Sequence, residues 1–275
     1  MSDDPYFPEP TDDDAAWGND DEQPVEWLRR SSLPRAKSIR KALNENLRHF
    51  EPKVARGLAK KLRTDWKSNY FELIVGRWLQ EIGARRIDYE PLGSNGSRID
   101  YCAEFEDAEV CVEVVSKRMN QHAVPGRAYV DNSEQRVRLA FRDSRKRRQA
   151  HGARAAALLA IDGGIFGADV EEFDLALLGS TVQYIGFTMQ TAGHGFNATS
   201  GAMLGDTASP WAGVLAFVAP SVFGATAPVL YVSPHFDGQL PFALLGTRRR
   251  MLGTREFEGS SDDPMSRIAF GEALS

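Results

Sequence analysis

The stretch Arg98-Ile99-Asp100-Tyr101-Cys102-Ala103-Glu104-Phe105-Glu106-Asp107-Ala108-Glu109-Val110-Cys111-Val112-Glu113-Val114-Val115 decides how this chain reads. Extended backbone sends successive side chains to opposite faces. Val110, Val112 and Val114 therefore share one face, and Cys111, Glu113 and Val115 share the other. Strands are expected over 98–105 and 109–116, joined by the acidic turn Glu106-Asp107. A hairpin symmetric about that turn pairs Phe105 with Ala108, Cys102 with Cys111, and Asp100 with Glu113. Directly opposed residues have Cβ atoms ~5 Å apart, close enough for both carboxylates to hold one divalent cation. A loop with an odd number of residues would slip the register by one and separate them.

Two carboxylates on one sheet face repel unless a cation or a proton lies between them. Hard oxygen ligands with room for water suit Mg²⁺, which can activate water and stabilise charge on a phosphodiester in the transition state. The plainer reading is a solvated hairpin end, where acids keep an edge strand soluble. Glu113, flanked by valines, fits that poorly; Asp100, beside Arg98, fits it better.

Outward from the hairpin, a helix is expected over 66–82, with Phe71, Val75, Trp78, Leu79 and Ile82 as its buried stripe and Gly83 as its terminator. A strand is expected over 86–90. After the hairpin come one helix over 132–151, an apolar strand over 155–161 and a helix over 169–178. Residues 179–211 read as a long irregular stretch; strands at 214–218 and 229–232 close the sheet, and the tail after Gly253 reads as weakly structured. This order predicts an α/β domain with a mixed sheet flanked by helices. Upstream, Ile39, Leu43, Leu47 and Phe50, then Val54, Leu58 and Leu62 beyond Pro52, have helical spacing. Residues 27–65 thus form a basic helical extension before a core over 66–250, with 251–275 as a tail.

Charge is segregated along the 275 residues although the net value is only −5. Residues 1–26 hold many acids and no Lys or Arg, and their Asp, Pro and Gly content predicts a disordered tail. Residues 29–63 carry a dense basic run, including Arg40 and Lys41, against only Glu45 and Glu51; a second run, 136–148, ends in Arg145-Lys146-Arg147-Arg148. Such blocks point to a polyanionic partner, with a solvated helix face as the plain alternative. No apolar run approaches the ~18 residues that span a bilayer, and the acidic start is unlike a signal peptide, so a soluble, cytoplasmic protein is expected.

Asn69-Tyr70-Phe71-Glu72-Leu73, Leu79-Gln80-Glu81-Ile82-Gly83, Arg98-Ile99-Asp100 and Val112-Glu113-Val114 together resemble the helix glutamate, motif aspartate and motif glutamate of the PD-(D/E)XK nuclease superfamily. The chain is similar to a bacterial branch of that superfamily, in which a basic helical segment precedes these motifs. Lys146 and Gln149, Leu159-Ala160-Ile161-Asp162 and Tyr231-Val232-Ser233-Pro234 match its later parts. The likeness covers roughly 27–245 and rests on order and spacing. It implies a restriction endonuclease-like core in which Asp100 and Glu113 hold Mg²⁺ or Mn²⁺ and Glu72 is a third acid near the metal. Lys146 and Gln149 would contact phosphate with Arg145, Arg148, Arg40 and Lys41.

The departures matter as much. Ile99 stands in place of the family's Pro, and Val115 in place of the Lys that positions the attacking water or stabilises developing charge. Lys117 shares strand parity with Glu113 and is the first candidate substitute; Lys146 is another. The resemblance therefore implies either a metal-dependent nuclease acting on DNA or RNA, or an inactive nuclease fold that binds nucleic acid or a protein partner in a bacterial multi-protein system. Other signals are weak. The Gly-rich 193–205 segment lacks a Gly-Lys-Ser/Thr, His194 and His235 are isolated, and Ser116 and Ser200 have no triad context. Cys102 and Cys111 read as small core residues rather than a redox pair.

Overall fold

The computed structural model describes residues 5–11, 14, 16, 18, 22–116, 133–179, 181–185, 192–196, 201–223, 227–245, 249–256 and 267–273. The N-terminal part is helical: α1 Pro24–Arg30, α2 Pro34–Arg48, α3 Pro52–Thr64 and α4 Trp66–Glu81. Proline opens each of the first three, at the position where its missing N–H costs nothing. Asp65 caps α4 by accepting a hydrogen bond from the Ser68 N–H at 3.3 Å, and Gly83, at φ +96°, takes the left-handed turn beyond its end.

The strands β1 Arg86–Tyr89, β2 Tyr101–Glu104 and β3 Glu109–Val115 follow, then α5 Ser133–Arg142, α6 Ser144–His151 and β4 Ala156–Asp162. Next come α7 Gly163–Phe166, α8 Val170–Leu177, β5 Thr181–Ile185, β6 Ala192–Phe196, β7 Trp211–Phe217 and β8 Val229–Val232. The chain closes with α9 Phe242–Leu245, β9 Arg249–Glu256 and β10 Arg267–Ala273.

Six strands, in the order β1-β2-β3-β4-β7-β8, make a mixed sheet flanked by helices, as the element order predicts. The β3–β4 and β4–β7 pairs are parallel, and β1–β2, β2–β3 and β7–β8 are antiparallel. Beyond β8 the sheet continues through β9, β10, β6 and β5. Both faces are covered, so central strands are apolar on both sides. Leu158 and Ala160 of β4 join α2, α3 and α4 in one core, while Leu159 and Ile161 join Val137, Phe141 and Phe173 in the other. The helical extension is thus a layer of the main core, not an appendage.

The hairpin register agrees with its sequence reading. Cys102 lies opposite Cys111, and the Phe105 N–H donates to Ala108 O at 2.9 Å across the Glu106-Asp107 turn. The cysteines need correcting: their sulfurs are bonded, closing a loop of sequence separation 9. Facing positions of one hairpin place them within reach without any framework.

Four further expectations give way. The acidic start is not a loose tail where it is described: Phe7 is buried, its N–H donates to Asn44 Oδ1 and its carbonyl accepts from Asn44 Nδ2, both at 2.9 Å. The single helix over 132–151 is two helices, because the Asp143 carboxylate takes the Lys146 N–H at 2.9 Å and starts a new one. The irregular 179–211 stretch contains β5 and β6, and the tail contains β9 and β10, which pair with each other from Arg267↔Glu256 to Ala273↔Arg250. Local composition is turn-like there, but cross-strand pairing decides strand formation. Among the described residues no helix is long and apolar enough to cross a membrane.

Candidate active-site cleft

Glu113 sits near the end of β3 on the face given by strand alternation, and it is fully buried. Asp100 immediately precedes β2 and faces it. The Asp100 N–H donates to Glu113 Oε2 at 3.3 Å, and the Val114 N–H donates to Asp100 Oδ2 at 2.7 Å. Each carboxylate is therefore held by the partner strand's segment. Arg98 does not neutralise Asp100; its guanidinium donates to Glu90 O at 2.7 Å.

The cation beside the acids is Lys146, from the first turn of α6. Its ammonium is bonded to Glu113 Oε1, donates to Val114 O at 3.0 Å and lies 3.9 Å from Asp100 Oδ2. The new helix start at Asp143 sets the direction of this side chain. Val115, where the motif lysine is missing, packs with Ile99, Cys102, Val137 and Phe141. Lys117 lies outside the described residues.

Glu72 approaches from α4. It is buried rather than exposed, and its Oε1 accepts from Tyr89 OH at 2.6 Å and from Lys61 Nζ at 3.3 Å. Lys61 also donates to Glu90 Oε1 and to Tyr89 OH, each at 2.6 Å. The Tyr101 hydroxyl donates to the Glu72 carbonyl at 2.9 Å, ahead of Gly76, where a Cβ would come within 2.7 Å of that hydroxyl. The small residue lets the hairpin press against α4 and seats Glu72 over the cleft.

Of these groups, Lys61, Glu72, Glu90, Asp100 and Lys146 line one open cleft of about 480 Å³, together with Asp65, Asn69, Arg98, Arg145 and Gln149, while the buried Glu113 and Tyr101 are not part of the lining. Gln149 Nε2 donates to Arg98 O at 2.5 Å, leaving its Oε1 buried with no hydrogen-bond partner among the described residues. The remaining sequence candidates do not converge here. Arg148 is exposed on α6 outside the lining, and Lys41 is an exposed residue 3.9 Å from Glu45. Arg40 is 1% exposed and cannot reach a ligand. Its guanidinium donates to Leu28 O, Ser31 O and Glu9 Oε2 at 2.5, 2.8 and 2.5 Å, which makes it a structural clamp. Lys61 and Tyr89 were not legible as site residues. The only hint was that Lys61 sits three residues after Leu58, at the border of the apolar stripe.

Electrostatics follow from burial. Loss of water and the adjacent Asp100 carboxylate push the Glu113 carboxyl up to about 8, against the pull of Lys146. Burial, then Asp100, also raises Glu72, although Lys61 and Tyr89 oppose this. Burial works to lower Lys146, but Asp100 and Glu113 outweigh it and keep the ammonium charged. The cleft thus holds more carboxylate than ammonium, an excess that a proton or a divalent ion relieves. Asp100 Oδ1 takes no hydrogen bond from a described residue, whereas both Glu113 oxygens are engaged, Oε1 by Lys146 and Oε2 by the Asp100 N–H. A divalent ion held by both carboxylates would therefore have to displace Lys146. Among the described residues no three His, Cys, Asp or Glu side chains form a metal-binding group.

No family model, curated protein or solved structure matches this chain.

Proposed function

We propose that this chain is a metal-dependent nuclease with a restriction endonuclease-like core, hydrolysing phosphodiester bonds of DNA or RNA in the cleft. The observation that carries the reading is the meeting of Asp100 and Lys146 in an open cleft of mixed charge, with the buried Glu113 bonded to Lys146. The motif resemblance supports it. Asp100 and Glu113 would hold Mg²⁺ or Mn²⁺, which supplies Lewis acidity toward the phosphodiester and water. Lys146 takes the part of the missing strand lysine, stabilising negative charge as it builds on phosphate oxygens. Lys61 and Arg145 attract the backbone in the cleft. Glu72, held by Lys61 and Tyr89, adds a further carboxylate at the cleft. Incubation with supercoiled plasmid and single-stranded oligonucleotides in Mg²⁺ or Mn²⁺ should yield cleavage that Asp100→Ala and Glu113→Ala abolish. Cleavage unchanged in both variants would sink the reading.

A second reading has its own observation. Lys146 already neutralises Glu113, and Val115 occupies the strand position of the motif lysine. A nuclease fold of this kind acting only as a binding module would retain nucleic acid in a salt-sensitive way, with no cleavage and no dependence on Asp100 or Glu113.

A further inference from the structure

We propose that the exposed stripe Lys53, Arg56, Lys60 and Arg63 on α3 is the track along which a nucleic-acid backbone leaves the cleft. This rests on the nucleic-acid reading of the cleft and adds where the bound strand runs. The four residues are spaced by three, four and three positions, which puts them on one side of a helix. The opposite side, Ala55, Leu58, Ala59 and Leu62, is buried, so the helix cannot roll and the stripe must face outward.

All four cations are exposed. Lys53, Arg56 and Lys60 form no ion pair with any described residue, while Arg63 donates to the Tyr6 carbonyl and lies over the Phe7 ring at 5.6 Å. Neighbouring α2 differs. Its buried Arg40 is bound to Glu9, its Lys41 lies beside Glu45, and both acids line the groove there. Arg40 and Lys41 are thus answered within the protein, whereas Arg35, Lys37 and Arg48 are exposed with no ion pair to a described residue, so α3 is set apart by where its stripe lies and not by unpaired charge alone.

Continuity gives the direction. Lys61, in the last turns of α3, and Asp65, just past its end, line the cleft, so α3 meets the mouth at its C-terminal end and the stripe lies along the helix leading away from it. From Lys61 back to Lys53 the helix rises about 12 Å at 1.5 Å per residue. A nucleic-acid strand carries a phosphate about every 3.4 Å of rise, so the track spans roughly three to four phosphates. Evenly repeated charge along one line, leading to a cleft suited to phosphate, favours nucleic acid over an acidic protein.

The test uses the full chain, a labelled single-stranded 20-mer and its duplex, with EDTA present, over a range of salt concentrations. The triple variant Lys53→Gln, Arg56→Gln, Lys60→Gln should reduce the slope of log affinity against log salt by about 2 to 3, since each lost phosphate contact removes about 0.7 to 0.9. The matched variant Arg35→Gln, Lys37→Gln, Lys41→Gln removes equal charge from α2 and should leave the slope within about one of wild type. An unchanged slope in the α3 variant, equal losses in both variants, no binding by wild type at low salt, or equal competition by polyglutamate would each overturn the track. If wild type binds with the expected slope change but cuts nothing in Mg²⁺ or Mn²⁺, the track stands and the nuclease reading fails. If it cuts while the α3 variant keeps its slope, the nuclease reading stands and the track fails.

Discussion

The Lys146 ammonium is bonded to the Glu113 carboxylate, a partner 33 residues earlier in the chain. That one contact joins α6 to β3 and places a cation where the strand offers Val115. Nothing in the local sequence of either element requires it. It depends on how the helix is started and docked.

Cleavage should follow Lys146 rather than Lys117. Lys146→Ala is expected to lower the rate of plasmid cleavage about 10²- to 10³-fold, the range for removing one group that stabilises transition-state charge. Lys117→Ala should leave it within about threefold. Single-turnover rates with saturating Mn²⁺ check this, and the opposite ranking would return the lysine role to the strand.

Glu113 should make the metal-free protein sensitive to pH. Its folded value, about 8, lies above the ordinary 4.5, so the folded state holds the proton more tightly than the unfolded chain. Below about 4.5 both states are protonated and the site costs nothing. Between 4.5 and about 8 the unfolded chain loses the proton first, so stability falls as pH rises, and the full cost remains above 8. Urea midpoints measured in EDTA from pH 5 to 8.5 should decline, and Glu113→Gln should flatten the decline.

Arg40 should behave as a fold residue. Removing its guanidinium leaves two buried carbonyls, of Leu28 and Ser31, without their donor. Arg40→Ala is expected to cost about 3 kcal/mol, from buried polar groups left unsatisfied. Denaturant titration measures that loss. Nucleic-acid affinity of the remaining folded protein should keep its wild-type salt dependence, because this side chain never reaches solvent.

The Cys102–Cys111 pair should stabilise the hairpin. Closing so short a loop is worth about 2 to 3 kcal/mol in the chain-entropy view. Thiol titration of unfolded, unreduced protein should find no free cysteine, and reduction should lower the unfolding midpoint. Two titratable thiols under oxidising conditions would contradict the pairing.

Several parts of this molecule are legible in its sequence. The two-residue turn and the parity of Glu113 follow from periodicity, as does the facing of Asp100 and Glu113, while α4 buries Leu73 and Ile74 beyond its expected stripe. Other features misled. Arg40 lies in a basic run and looks like a surface cation, yet it is buried by packing against α1. Residues near Phe7 have a disorder-like composition, but one aromatic ring and one Asn44 side chain dock them. The uninterrupted helical pattern through 142–144 hid the Asp143 cap that starts α6.

By itself the sequence determined what depends on near neighbours: which faces are apolar, where the hairpin turns, and that two acids share one strand end. Tertiary structure decided which cations meet those acids. Lys61 and Lys146 arrive from helices on opposite sides of the sheet, and only packing sets that approach. Alternation and turn chemistry act over a few residues, whereas the charge balance in a cleft depends on groups brought together from across the chain.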